Sequence, residues 1–271
     1  SLLSGGWLAS PPRSLFDNTP LRELLTREVP WRGVGRNIRN GRLDALALCA
    51  TGYGTARSVA FFEARPGLSE WSRTDHVGRR VRLGLPHLMG SLSVPLLVPA
   101  EEIDGVFSGD GAMRQTAPLS PALRLGADRM LIIGMRTAGT SGMSASRSTP
   151  HSSPTPGQIA GFALDNLFTD QIWSDLEQIE RLVERIVLIS PSQDLRAIAE
   201  QHMHTLPPSL KALLRVIGAR GPAGAQLASY LLFESGYTTA LIDLGYRDAM
   251  LRQKDLRELF GVKAPAQPAL A

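Results

Sequence analysis

The chain has 271 residues, 43% of them hydrophobic and 20% charged, a balance that suits a folded globular protein and excludes disorder throughout. Its length allows one large domain, or one domain with an extension. Twenty-nine Lys and Arg against 25 Asp and Glu leave a net charge of +4; no basic run is dense enough to argue for nucleic acid, so the excess reads as solubility or a weak leaning toward anionic surfaces.

In chain order, SLLSGGWLAS has neither the basic start nor the apolar length of a secretory signal, and with Ser1 in first place the chain is expected to be a processed product or a fragment. LFDNTPLRELL, residues 15–25, predicts a turn feeding a helix, with Asn18 and Thr19 as capping candidates and Pro20 at the first helical position. LDALALCAT at 43–51 and SVAFFEA at 58–64 flank GYGTAR and predict a β-hairpin. The lone Cys49 reads as inert packing in the first of these runs; it excludes a disulfide framework and points to a reducing compartment. LGLPHLMGSLSVPLLVPA at 83–100 invites a membrane reading, but Pro86, His87, Pro95 and Pro99 interrupt it. A buried connection with a short helix near 84–91 fits better, and EEIDGVFSGD then brings the chain to its next strand. Ser120 and Pro121 start a helix with the body ALRL and a stop at Gly126. RMLIIG follows as a strand which, like LDALALCAT, reads as buried on both faces. Strand, turn, helix and strand in that order predict an α/β fold.

Residues 137–157, rich in Ser, Thr, Gly and Pro, read as a flexible linker between a first domain, 1–136, and a mostly helical extension, 158–271. In the extension, Leu164, Leu167, Phe168, Ile172, Leu176, Ile179, Leu182 and Ile186 recur at helical spacing and give one apolar stripe, with Glu177 and Arg181 paired on the wet side. VLISPS at 187–192 predicts a short strand and Asp194 the cap of the next helix. PAGAQLASYLLFESG and YRDAMLRQKDLRELFG predict two further helices, ended by Gly236 and Gly261.

Few residues suggest chemistry. His202 and His204 are two apart, whereas a helical metal pair stands four apart, so a surface helix is the better reading. His76 and His87 lack acidic or cysteine neighbours at ligand spacing. TGYGTA is not followed by the Lys-Ser or Lys-Thr of a phosphate loop, GTSG at 139–142 lacks the last glycine of a nucleophile elbow, and no G-x-S-x-G occurs in the sequence. No cofactor and no metal site are expected.

Asp110, between Gly109 and Gly111, reads first as a turn residue bonding its own backbone. Its flanks raise a second reading, because an apolar strand arrives and a proline-started helix leaves, where site residues of open α/β sheets gather.

DGAMRQTAPLSPALRLGADRMLIIG resembles the catalytic-aspartate region of patatin-like phospholipases, whose signature is Asp-Gly-Gly or Asp-Gly-Ala, then a proline-rich turn and a helix ending in Gly-Ala-Asp. SLFDNTPLRELL resembles the stretch after the nucleophile half in bacterial members, LALCATGYGT the central strand with its Thr, and HLMGSLSVPLLVPAEEIDG the segment leading to the Asp strand. GFALDNLFTDQIWSDLEQIERL, SPSQDL and SYLLFESGYTTALIDLGYRDA are similar to the C-terminal extension of one bacterial subgroup, so the resemblance spans most of the chain. It implies a layered α/β sheet with flanking helices, N-terminally incomplete, and a serine acyl hydrolase acting on phospholipids or similar lipid esters. Its engine would be a Ser on a G-x-S-x-G elbow, an Asp base and a glycine-rich oxyanion loop.

Asp110 matches the Asp, and Gly111 and Ala112 match the rest of its motif. The elbow and the oxyanion loop have no match here and are expected upstream; Ser91 and Ser93, in GSLSVP, lack the glycine that an elbow demands. The expected partner is a lipid acyl ester, with transient membrane-surface contact and a cytoplasmic or peripheral location. The alternative is a non-catalytic remnant that binds lipid or protein.

Overall fold

The computed structural model describes residues 14–114, 119–135, 155–167, 175–176, 179–218 and 227–262. The fold is α/β, and the chain divides into two compact units, Ser1–Gly126 and Ala127–Ala271.

In the first unit, helix α1 (Thr19–Glu28) has Pro20 in its first turn as expected, but Asn18 makes no side-chain cap bond. Asp17 instead accepts from the backbone N–H of Thr19 at 3.0 Å and from its hydroxyl at 2.7 Å. A carboxylate is the stronger acceptor, and the positive end of the helix favours its charge. After α2 (Arg32–Arg39), strands β1 (Ala45–Gly52) and β2 (Arg57–Ala64) form the expected hairpin, in register from Ala45 opposite Ala64 to Gly52 opposite Arg57. β2 also pairs in parallel with β4 (His76–Arg80), whose outer neighbour is the two-residue β3 (Trp71–Ser72). Beyond β1 lies β6 (Val106–Asp110), hairpinned with β5 (Glu101–Ile103), which gives the order β3-β4-β2-β1-β6-β5. The β5–β6 turn places Asp104 and Gly105 at φ of 51° and 77°, both left-handed, as the twist of a two-residue hairpin requires.

Strand alternation gives this sheet two apolar faces. Ala50 and Phe61, with Leu83 and Ile103, form a core cluster against which Leu46, Leu48 and Val59 pack. The expected short helix, α3 (Leu85–Ser91), covers this side so closely that a Cβ on Gly90 would stand 2.7 Å from Ile103 Cδ1. On the opposite face Phe62 is fully buried and stacks on Trp71 at 5.2 Å. Arg80 sits 5.5 Å from the Phe62 centroid and donates to the carbonyls of Ala64, Arg65 and Leu68. β1 differs from expectation: Ala50, Thr51 and Gly52 are buried, but Ala45 to Cys49 are half-buried, because β6 flanks β1 only from Ala50 to Gly52. A 3₁₀ turn (Gly111–Arg114) and α4 (Ser120–Arg124) follow, and Gly126, at φ 91°, ends α4 as expected.

In the second unit, β7 (Arg129–Ile133) pairs in parallel with β8 (Arg185–Ile189) in a separate two-stranded sheet. β7 was expected in the first domain, with both faces buried; it belongs to the second unit, and only Met130 and Ile132 are buried while Leu131 and Ile133 are exposed. The helical pattern expected over 164–186 gives way to strand at its end. α5 (Pro156–Leu167) carries the buried Leu164, while Ile186 lies in β8, where the β-branched run RIVLI favours strand. Phe168, Ile172 and Glu177 lie outside the described residues, as does most of the 137–157 cluster, although Pro156 already begins α5.

Asp194 caps α6 (Leu195–His202) as expected, accepting from the Arg196 N–H at 2.9 Å. After α7 (Pro208–Val216), Gly236 does not end a helix but is the second residue of α8 (Ser235–Leu251). The helix expected to open at Tyr246 is the end of α8 followed, past Arg252, by α9 (Gln253–Leu259), with Gly261 at φ 66° just after it. Among the described residues no helix is long and apolar enough to cross a membrane.

The Phe62–Trp71 stack, with Phe62 fully buried, generates a stability test. Phe62→Ala should cost about 3–5 kcal/mol, the usual range for a buried aromatic truncated to alanine. Urea unfolding followed by Trp fluorescence should show the midpoint move down, with an altered native signal from Trp71.

Candidate functional site

Asp110 is the last residue of β6, directly opposite Ala50 of β1. Its backbone N–H donates to the Ser93 carbonyl at 2.9 Å, which ties the strand end to the connector after α3. Its Oδ1 accepts the Ala112 N–H at 2.8 Å, the local bond of an Asx-type turn. The two readings of Asp110 are therefore compatible, since the turn bond holds one carboxylate oxygen and the other has no protein partner among the described residues. Burial pushes the carboxyl above its ordinary range, and the Ala112 N–H opposes that shift only in part. A raised carboxyl is a better proton acceptor, which is what base catalysis by an Asp requires.

The flanking glycines are there for space. Neither Gly109 nor Gly111 has a positive φ. A Cβ on Gly111 would stand 2.5 Å from the Cys49 carbonyl oxygen, and one on Gly109 would stand 2.5 Å from the Tyr53 hydroxyl. Gly111 thus lets the chain turn tightly against β1 after Asp110, and Ala112 follows in the 3₁₀ turn, where its N–H meets the carboxylate.

The other candidates separate from this site. Ser93 is fully buried, and its hydroxyl donates to the Met89 carbonyl at 2.7 Å, a packed connector residue as expected. His87 accepts the Gly84 N–H on Nδ1 at 3.1 Å and meets Phe61 edge to face at 5.0 Å; burial lowers its pKa. His202 ends α6 with its ring 6.3 Å from that of His204 and 6.0 Å from that of Tyr237. Among the described residues no group of three or more His, Cys, Asp or Glu is arranged to hold a metal. Thr51, in the strand whose Thr the family resemblance singles out, is 2% exposed, and its hydroxyl has no hydrogen-bond partner among the described residues. Tyr53, the first residue after β1, has no special signal in the sequence.

The raised Asp110 carboxyl has a consequence for stability. Because its pKa is higher folded than unfolded, the folded state holds its proton more tightly. Stability therefore falls as pH rises from the ordinary carboxylate range through the raised value. Asp110→Asn keeps an acceptor for the Ala112 N–H and removes the half-buried charge. It should raise the melting temperature at pH 7, with the difference shrinking as acidification protonates the wild-type carboxyl. No protein-family model matches the chain, and no curated protein and no solved structure matches it.

Proposed function

We propose that this chain is part of a patatin-like serine acyl hydrolase acting on phospholipid or other lipid acyl esters, in lipid breakdown. Asp110 is the base of its Ser-Asp dyad, and the serine lies outside these 271 residues. The observation that carries the reading is the state of the Asp110 carboxylate: half-buried, fixed through one oxygen by Ala112, and open at the other. It stands where β6 stops and β1, from Ala45 to Cys49, is left with β2 as its only strand neighbour among the described residues. A nucleophile-bearing strand laid along that open edge would end beside Asp110.

In this reading the open oxygen takes the serine proton as the hydroxyl attacks the ester carbonyl, and the protonated Asp110 then returns it to the departing alcohol. The fixed oxygen prevents the carboxylate from swinging away between the two steps. The oxyanion is held by backbone amides of the segment that brings the serine. A second reading, a non-catalytic lipid- or protein-binding module, rests on the absence of G-x-S-x-G from the sequence.

A lipid substrate calls for contact with a membrane surface, and one exposed apolar group suits it. Leu15 and Phe16 donate their N–H groups to the Leu96 and Leu97 carbonyls, both at 2.9 Å, which brings the exposed residues Leu15 and Phe16 alongside the exposed Leu96. Leu96 is 79% exposed at φ 68°, a conformation in which a bulky apolar residue gains nothing in water. We assign this group to transient lipid contact by a protein of the reducing cytoplasmic side.

Two outcomes follow. The 271-residue chain should not react with a fluorophosphonate probe, whereas the full-length protein should, and Asp110→Asn there should lower ester turnover by roughly 10²–10⁴ with the fold intact. Full activity in that variant would remove the base assignment. Leu96→Asn should weaken sedimentation with lipid vesicles while leaving thermal stability equal or slightly higher, because Asn tolerates the left-handed region; unchanged vesicle binding would remove the lipid contact.

A further inference from the structure

We propose that the second unit binds a free α-amino acid with an apolar side chain, in a cavity between β8 and the end of α8. This goes beyond the acyl-hydrolase reading, and its test does not depend on ester hydrolysis.

The cavity has a volume of about 430 Å³, within the roughly 300–1,000 Å³ usual for small-molecule sites. Its apolar wall is made by Ile186 and Leu188, alternate residues that share one face of β8, with Leu176 and Leu251. Leu176 is buried, whereas Leu251 is 80% exposed and gains cover from a ligand. The polar end is made by Asp248 and Arg252. Asp248, in the last turn of α8, is only 6% exposed. Its Oδ2 accepts the Ser192 N–H at 2.9 Å, and its other oxygen has no protein partner among the described residues. A buried carboxylate calls for a cation, the more so in the last turn of a helix, where the macrodipole disfavours negative charge. Arg252 lines the same cavity four residues on, a spacing at which Asp and Arg can form an ion pair. They form none. The Arg252 Nε donates to Asp255 Oδ2 at 2.5 Å instead, and its Nη groups have no partner among the described residues.

A carboxylate and a guanidinium that face one cavity without meeting suit a zwitterion. An ammonium at the open oxygen of Asp248 neutralises a charge that the fold leaves buried, and Glu180, on the exposed rim, favours the same end. The carboxylate on the same α-carbon is then free to turn toward the Nη groups of Arg252. The side chain on that carbon lies along the wall of Ile186 and Leu188. A fatty acid would leave Asp248 without its cation, and a plain amine would leave the Nη groups of Arg252 unused. A polar side chain would gain nothing from the wall.

The test is isothermal titration of the full-length protein with L-leucine, which should bind saturably. Isocaproate, which is leucine without the ammonium, and isopentylamine, which is leucine without the carboxylate, should each bind at least about tenfold more weakly, the scale of one lost hydrogen bond to a charged group. L-Serine should be weaker than leucine by a similar factor. Asp248→Asn keeps an acceptor for the Ser192 N–H and should weaken leucine by about tenfold while leaving isocaproate unchanged. Arg252→Gln, at an exposed position, keeps the test open should Asp248→Asn not fold; it should weaken leucine and leave isopentylamine unchanged. The absence of saturable leucine binding at millimolar concentration would overturn the proposal. So would equal binding of leucine and isocaproate, or a variant that weakens every ligand alike, since a packing role alone would do that.

Discussion

The three-residue antiparallel contact between β1 and β6 is the constraint on which the rest of the first unit depends. Asp110 faces Ala50 at its end, and one step further Gly111 presses against the Cys49 carbonyl, so the chain leaves the sheet there. The N–H of Asp110 bonds the Ser93 carbonyl, which lashes the connector after α3 to the strand end. One residue thereby joins β1, β6 and α3. If β6 were longer, Asp110 would be an ordinary ladder residue and the edge of β1 from Ala45 to Cys49 would be closed. The brevity of the strand produces both the open carboxylate and the open edge.

Burial does two opposed things to Asp110. It destabilises the ionised carboxylate at neutral pH, and it raises the affinity of that carboxylate for a proton. An exposed Asp with a pKa near the ordinary value of about 3.9 would be a poor acceptor for a serine proton. The Ala112 N–H opposes that shift in part, and at the same time fixes the carboxylate's direction. A residue kept only for a turn would be satisfied by that N–H bond alone and would gain nothing from burial. The proposed base role asks for that combination, and the turn bond is compatible with it.

Much of this was legible in the sequence because it is local. The runs LDALALCAT and SVAFFEA with a short turn between them fix a hairpin, Pro86 opens α3 and Gly126 closes α4, and Asp194 sits where a cap is needed. What escaped is set by tertiary contact. The parallel pairing of β2 with β4 and of β7 with β8 has no local signature. The stripe from Leu164 to Ile186 kept helical spacing across a change of structure, because apolar residues facing one core can do so from a helix and then a strand. Gly236 resembled a helix stop, yet it tolerates the first turn of α8, close to His202. At the site, Asp110 was legible from its Gly-Asp-Gly setting, whereas Tyr53 was not, since nothing in TGYGTA says that its ring folds back over residue 109.

The glycines of that setting show why a short pattern can point to a site for a reason other than the usual one. Glycine next to a candidate catalytic residue suggests a strained turn, but here the backbone at 109 and 111 needs no left-handed angle. The demand is for volume. On one side of Asp110 a phenol occupies the place of a side chain, and on the other a strand carbonyl does. At Gly109 the obstacle is the far end of a side chain, which can swing aside at some cost to its placement. At Gly111 it is backbone that cannot move without breaking the β1–β6 contact. The two positions therefore differ in kind: Gly111 fixes where Asp110 sits, while Gly109 fixes what lies beside it.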